Sequence, residues 1–132
     1  PRNRYRADTL IRFLRRTKSD EFDKILGLSP KDISHTRPKY KDYGIMGLGF
    51  RPGESCVVST FRVQRGTKSR KQLIARLRKV TIHELGHNFG LPHCTFDDKC
   101  LMQSAKGKVS TIDKADEIFC ENCRKQISTF LR

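Results

Sequence analysis

The chain has 132 residues, of which 36% are hydrophobic, enough for one domain with a modest core. It contains no run of about 18 apolar residues, so we expect no membrane-spanning helix. Lysine and arginine total 28 against 14 aspartate and glutamate, a formal net charge of +14. Such an excess attracts nucleic acid, anionic membranes or acidic proteins. No nucleic-acid-binding motif accompanies it and aromatic residues make up only 8%, so we interpret the charge as solvated helix faces.

The first predicted element is an amphipathic helix from Tyr5 to Thr17. Its apolar residues recur at mostly helical spacing among arginines, as in a helix that buries one face. The sequence opens at Pro1 instead of a methionine, so we expect an N-terminal portion to be missing, and a signal peptide on it is left open. We otherwise expect a cytoplasmic protein. There is no room for a β-strand before the helix, so a first strand is expected to be absent.

Three segments between residues 22 and 63 are candidates for extended structure. The apolar run within Phe22–Ile33 is stopped by Ser29-Pro30 and predicts a buried strand. Residues 56–63, CVVSTFRV, are rich in β-branched residues and predict another. Residues 44–50, GIMGLGF, carry three glycines. They indicate either an irregular connector or an edge strand able to pair with an extended peptide.

Two potential metal ligands in this half of the chain are assigned other roles. His35 lies in a polar segment rich in lysine and proline, and we predict a solvated side chain. Cys56 is the odd cysteine among five. We predict that it is a buried free thiol that packs as a small hydrophobic residue.

A helix predicted from about Ser69 to Phe89 carries the most informative motif. His83, Glu84 and His87 form H-E-x-x-H. Residues four apart on a helix lie about 40° apart around the axis and about 6 Å along it, so the two imidazoles can converge on one ion. Glu84 projects roughly 100° away. There its carboxylate can hold and deprotonate a water molecule at the metal without being a ligand.

The motif continues through Gly90 to a third histidine, His93. Gly90 tolerates positive φ and can end the helix, and Pro92 disfavours its continuation. The turn brings in His93 as the third imidazole. A fourth position is then left for water, which is the open coordination of a catalytic zinc.

The eleven residues 83–93, HELGHNFGLPH, match the extended motif of the metzincin metallopeptidases in full. A cysteine directly after it, then CLM at 100–102 and C-x-x-C at 120–123, make the chain similar to the archaemetzincin (archaelysin) family. This resemblance implies a zinc peptidase with Glu84 as general base and Met102 as the Met-turn residue beneath the metal. It implies that the catalytic zinc ligands are His83, His87 and His93.

The same resemblance implies a second, structural zinc held by four thiolates: Cys94, Cys100, Cys120 and Cys123. Five residues separate the first two cysteines, where four are expected in the family, so we expect a reshaped loop there. Two disulfides of unknown pairing are the alternative in an oxidising compartment. Two cysteine pairs with a 19-residue spacer favour a closed tetrahedral zinc site.

After the motif, we predict a polar surface loop from Gln103 to Ser110 and a final helix from about Asp113 to Phe130. The resemblance implies a metzincin-like α/β (α+β) fold with a small mixed β-sheet, an active-site helix and a C-terminal helix. We expect one metallopeptidase domain, with an N-terminal subdomain over residues 1–90 and a C-terminal subdomain over residues 91–132.

We therefore expect a monomeric zinc-dependent peptidase with two zinc ions per chain and a peptide or protein substrate. The choice between endopeptidase and aminopeptidase is left open. Met102 is followed by Gln-Ser-Ala, so the tyrosine found shortly after the Met-turn in some metzincins is absent. Two alternatives remain: a non-catalytic zinc-containing module that binds peptides or a protein, and a nucleic-acid-binding zinc protein that uses the basic faces.

Overall fold

The computed structural model describes residues 3–131 of the chain. These residues contain six strands and five helices. The strands are β1 (Tyr5–Arg6), β2 (Ile25–Ser29), β3 (Ile33–Arg37), β4 (Tyr40–Ile45), β5 (Gly47–Gly49) and β6 (Ser55–Ser59). The helices are α1 (Ala7–Thr17), α2 (Thr60–Val63), α3 (Arg70–Asn88), α4 (Val109–Lys114) and α5 (Glu121–Phe130). The predicted mixed α/β class is confirmed. Within residues 3–131, no helix combines the length and apolar character needed to cross a membrane.

The strands form two three-stranded sheets instead of the single small sheet that was predicted. In the first, β3 lies between β1, which is parallel to it, and β4, which is antiparallel. In the second, β6 lies between β2, which is parallel to it, and β5, which is antiparallel. Every residue of β6 is buried, because α1 packs against it as well as α3. The strand β5 is an outer strand of this sheet and contacts α3.

Alternating side chains of β6 connect two hydrophobic clusters. Val57 belongs to a cluster with α1, whose other buried members are Ala7, Ile11, Ile33 and Ile45. Val58 belongs to a cluster with α3, whose other buried members are Met46, Val63, Val80 and Ile112. This alternation follows from the period of two in a β-strand. It fixes the position of α3 relative to both sheets.

Local signals set both ends of α3 close to where the sequence predicts them. The Ser69 hydroxyl accepts a hydrogen bond from the Gln72 amide at 3.1 Å, which caps the first turn. At the other end Gly90 adopts φ +108°, and the Leu91 amide donates to the Gly86 carbonyl at 2.9 Å. Glycine is the residue that tolerates this backbone conformation without strain.

Four of the predicted elements in the first 63 residues differ in the structure. A first strand is present, because two residues are enough when the Tyr5 amide donates to the Asp32 carbonyl. The strand β2 is not buried as predicted, because its face with Leu26 and Leu28 is exposed. Residues 60–63 are helical, because Ser59 caps them by accepting from the Phe61 amide. His35 lies on β3 and is half buried, so the prediction of a solvated loop was wrong.

The predicted single C-terminal helix is two helices, α4 and α5, separated by residues 115–120. The intervening segment makes other backbone hydrogen bonds: the Asp116 amide donates to the Lys99 carbonyl at 2.8 Å, and the Leu101 amide donates to the Ile118 carbonyl at 3.4 Å. The predicted loop is correspondingly shorter, since α4 begins at Val109. The break brings Cys120 beside Cys100, which a continuous helix would not do.

A nearly buried carboxylate joins the N-terminal strand to the rest of the molecule. Asp32 is 6% exposed, and its carboxylate accepts hydrogen bonds from the Nε of Arg4 and the Nε of Arg62, each at 2.8 Å. Burial by itself raises the pKa of Asp32, but the hydrogen bonds and positive charges of Arg62 and Arg4 outweigh it. The pKa therefore lies below its ordinary value of 3.8. The two ion pairs connect the residue before β1, the residue before β3 and α2.

We expect Asp32→Asn to lower the free energy of unfolding in urea by about 3 kcal/mol at pH 7, because Arg4 and Arg62 lose the buried carboxylate that pairs with both. Since the folded-state pKa is depressed, this stabilisation is complete above the ordinary pKa and is lost as pH falls through the folded-state value. The difference between the native chain and Asp32→Asn should therefore shrink below about pH 4. Asp98→Asn, at an exposed position, is the control. A difference that does not vary with pH would contradict the ion-pair account.

Candidate active site

Three imidazoles lie together at the end of α3. His83 and His87 are one helical turn apart, and the turn at Gly90 returns the chain so that His93 joins them. The ring centroids are 4.7 Å apart for His83 and His87, 5.3 Å for His83 and His93, and 4.8 Å for His87 and His93. One nitrogen from each ring lies within 4.8 Å of the others. The structure thus brings together the three predicted ligands.

Two backbone carbonyls orient the helical histidines. The Nδ1 of His83 donates to the Leu101 carbonyl at 2.8 Å, and the Nδ1 of His87 donates to the Leu91 carbonyl at 2.7 Å. Because a carbonyl only accepts, each Nδ1 carries the proton and each Nε2 is left with a lone pair. Such a partner on the second ring nitrogen is typical of metal-binding histidines.

The surroundings also favour the neutral form of the rings. Burial, and next the charge on His87, lower the pKa of His83 to about 4. Burial is likewise the largest cause of the lowered pKa of His87 and of His93. Neutral imidazole is the form that binds a metal. The donor set of three neutral nitrogens therefore fits Zn²⁺ with an open coordination position.

Glu84 lies beside this group and is almost enclosed. It is 6% exposed, and burial raises its pKa to about 8, against a smaller lowering by the charge of Arg37. The edge strand passes directly over it, since a Cβ added at Gly47 would lie 2.9 Å from the Glu84 Oε2. Glycine at position 47 thus leaves the room that the carboxylate occupies.

Met102 packs against α3 at Gly86. Residues two apart on a helix lie about 200° apart around its axis, so this contact is on the opposite side of α3 from Glu84 and the edge strand. The Met102 side chain is fully buried, and a Cβ added at Gly86 would lie 2.5 Å from its Sδ. The Met102 carbonyl accepts the Cys94 amide at 2.9 Å. The predicted Met-turn residue is therefore packed against the histidine helix.

Four thiols form a second cluster behind the histidine turn. The Sγ atoms of Cys94 and Cys120 are 3.7 Å apart, as are those of Cys100 and Cys123. All four ligand atoms lie within 4.8 Å of one another. Thiolates about 2.3 Å from one Zn²⁺ in a tetrahedron are about 3.8 Å apart, so the four positions fit a closed zinc site. All are free thiols, which does not support the disulfide alternative.

The one departure from the expected motif spacing, the longer segment between Cys94 and Cys100, lies at the surface. The five residues between Cys94 and Cys100 form an exposed loop, so the extra residue leaves the thiol cluster intact. Cys56 is buried, and burial raises the pKa of its thiol to about 12, as expected for an unreactive packed residue. Among residues 3–131, neither Cys56 nor His35 belongs to the histidine group or the thiol cluster.

A cleft of about 870 Å³ opens over the histidines and Glu84. One wall is the β3–β4 hairpin with β5, and the other is the 103–107 segment with α4. Sequence analysis missed the basic residues in these walls, because nothing in the chain indicates that segments so far apart face each other. It also missed Asn88, whose buried amide donates to the carbonyls of Phe50 and Ser55 and joins the end of α3 to the edge strand connection.

Comparison with known proteins identifies relatives over almost the whole chain. The model of peptidase family M54 matches residues 2–129. Archaemetzincin of Halobacterium salinarum is 32% identical over 133 residues, covering 96% of this chain and 72% of the relative. That of Haloquadratum walsbyi is 34% identical over 131 residues, covering 94% and 71%. The crystal structure of archaemetzincin from Methanopyrus kandleri matches with a TM-score of 0.83 and 30% identity, covering 98% of this chain and 67% of that one.

We expect Gly86→Ala to lower the free energy of unfolding by about 1–3 kcal/mol, because its methyl group would overlap the Sδ of Met102. Helix propensity alone predicts the opposite, a gain of about 1 kcal/mol. Chemical denaturation of Gly86→Ala in the native chain and in a Met102→Val background separates the two effects. The cost should fall in the second background, where the thioether is gone. Equal costs in both would contradict the contact.

Proposed function

Because this chain belongs to peptidase family M54, the archaemetzincin family of zinc metallopeptidases, we propose that it hydrolyses peptide bonds at His83, His87 and His93 with Glu84 as general base. The observation that carries the proposal is the position of Glu84. It is a buried side chain beside three imidazoles, two of them oriented by backbone carbonyls, at the floor of an open cleft. We propose that residues 1–90 and 91–132 act together as one metallopeptidase domain.

The three imidazole nitrogens would hold the catalytic zinc. When bound, zinc supplies Lewis acidity, which polarises the scissile carbonyl and lowers the pKa of a water molecule. The protein's part is to keep the ligands ready: the Leu101 and Leu91 carbonyls hold the protons of His83 and His87 on Nδ1 and so direct Nε2 to the metal.

Glu84 would move the proton. Its carboxylate, which lies under Gly47, would accept the proton of the attacking water and return it to the nitrogen of the leaving amine. Burial raises the pKa of Glu84, and the positive charge of a bound zinc would oppose that shift and favour the carboxylate form, which is the form that can accept a proton. The edge strand above it limits the access of bulk water.

The edge strand β5 would hold the substrate backbone. It pairs with β6 on one side only, and Gly47, Leu48 and Gly49 line the cleft on the other. An extended peptide could continue this sheet as a further strand, which fixes the backbone independently of side-chain identity. Within the glycine-rich segment 44–50, residues 47–49 form this edge strand and residues 44–45 belong to β4, which supports the interpretation of a peptide-pairing edge.

Cys94, Cys100, Cys120 and Cys123 would hold a second, structural zinc. Cys120 and Cys123 lie at the start of α5, and the other two flank the loop after the histidine turn. An ion shared by the four thiolates would join α5 to the segment that carries the Leu101 carbonyl. Closed Cys₄ sites stabilise small domains in this way.

We expect purified protein to contain two zinc ions per chain by elemental analysis. His83→Ala or His87→Ala should lose one, and Cys120→Ser or Cys123→Ser should lose the other, because each removes a ligand from a different group. His35→Ala and Cys56→Ser are matched controls and should retain both. One zinc that is insensitive to the cysteine changes would contradict the structural site, and no zinc under metal-replete conditions would contradict both sites.

We expect Glu84→Gln to lower turnover of library peptides by about a hundredfold or more while zinc content stays at the native level, because the amide cannot accept the proton. Glu117→Gln, at an exposed position, is the control and should keep native turnover. Undiminished turnover in Glu84→Gln would contradict the assigned role. No cleavage of any library peptide by the zinc-loaded native chain would favour the non-catalytic, peptide-binding alternative.

A further inference from the structure

The cleft is strongly asymmetric in charge. Among the described residues that line it, Glu84 is the single acidic one, and it is buried at the floor. Five basic residues share the lining: Arg37, Lys39, Arg51, Lys79 and Lys106. A peptide that enters the cleft therefore meets cations on both walls, with no exposed carboxylate to balance them.

None of these five cations forms an ion pair with an acidic residue in the part of the chain that the structure describes. Elsewhere in the molecule, arginines at the cores of contacts are paired: Arg62 with Asp32 and Arg76 with Asp113. By contrast, within residues 3–131 no ion pair involves a basic residue of the cleft lining. Lys79 is occupied differently, since its Nζ donates to the Ile112 carbonyl at 3.0 Å. Arg37, Lys39, Arg51 and Lys106 are exposed.

Arg37 and Arg51 are the two arginines among these cations. Arg37 ends β3 in the hairpin, and its guanidinium carbon lies 5.5 Å from the centre of the Tyr43 ring. This cation–π contact with Tyr43, which also lines the cleft, restricts the Arg37 side chain and lessens the entropy that binding must remove. Arg51 lies two residues beyond the end of β5. Both line the cleft, and the positive charge of each lowers the pKa of His93, so the two guanidinium groups lie on the side of the cleft that holds the histidines.

Resting on the proposed peptidase function, we propose that this cleft selects peptides with aspartate or glutamate side chains beside the scissile bond, recognised by Arg37 and Arg51. A guanidinium presents parallel N–H donors that match a carboxylate. Cations lining a concave surface also raise the local concentration of anionic ligands. Lysine or arginine at the same substrate positions meets like charge, so basic peptides are rejected.

The test measures binding, so that it does not depend on turnover. Zinc-loaded Glu84→Gln protein is titrated into fluorescent peptides of one length, blocked at both ends, with glutamate, glutamine or lysine on each side of a central apolar pair. Blocked ends leave the side chains as the source of charge. We expect the glutamate peptide to bind roughly tenfold more tightly than the glutamine peptide at low salt, and the lysine peptide to bind most weakly.

Two sets of variants in the same background separate a local effect from net charge. Arg37→Gln with Arg51→Gln should abolish most of the preference for glutamate over glutamine. Arg16→Gln with Arg70→Gln removes the same charge at exposed positions outside the cleft and should leave the preference in place. Equal binding of the three peptides, no measurable binding of any, or equal loss in both double variants would overturn the proposal.

A cleavage assay with the native chain distinguishes this inference from the proposed function. If glutamate and glutamine peptides are cleaved with equal kcat/KM and bound equally, the selectivity is wrong and the peptidase function stands. If the glutamate preference in binding is present but no peptide is cleaved, the selectivity stands and the peptidase function is wrong.

Discussion

The hydrogen bonds from His83 and His87 to backbone carbonyls are the interactions on which the rest of the site depends. Helical geometry places two imidazoles on one face of α3, but it leaves their rings free to rotate. The Leu91 and Leu101 carbonyls remove that freedom and fix which nitrogen is protonated. Both carbonyls belong to the segment after Gly90, so the turn that delivers His93 also orients the two histidines that precede it.

Contacts throughout the fold hold α3 against the outer strand β5. Buried β6 anchors both hydrophobic clusters, the amide of Asn88 joins the end of α3 to the connection after β5, and glycine at position 47 lets the edge strand approach Glu84. The carboxylate is thereby desolvated by the same strand that is proposed to bind substrate. Removing water from Glu84 and presenting a backbone to the peptide are two results of one close contact.

Local patterns predicted the family and the α3 helix, and both are confirmed, since H-E-x-x-H and the glycine turn depend on residues that are neighbours in sequence. The same patterns could not predict the break between α4 and α5, because hydrogen bonds to residues distant in sequence hold it. The Asp116 amide donates to the Lys99 carbonyl, and the Ile118 carbonyl accepts from the Leu101 amide. Nor could they place Arg37 and Arg51 in the cleft, since that depends on how the hairpin folds over α3. The ligand and general-base roles stay predictions with a fitting geometry.

Residues 100–102 place three different groups in three successive positions: a thiol in the Cys₄ cluster, the carbonyl that orients His83, and the thioether that packs on Gly86. Insertion or deletion of one residue within this run would misplace all three at once. The exposed loop of five residues before it has no such requirement, because both of its ends are defined by thiols of one cluster. Length variation in this region is therefore tolerated on one side of Cys100 and excluded on the other.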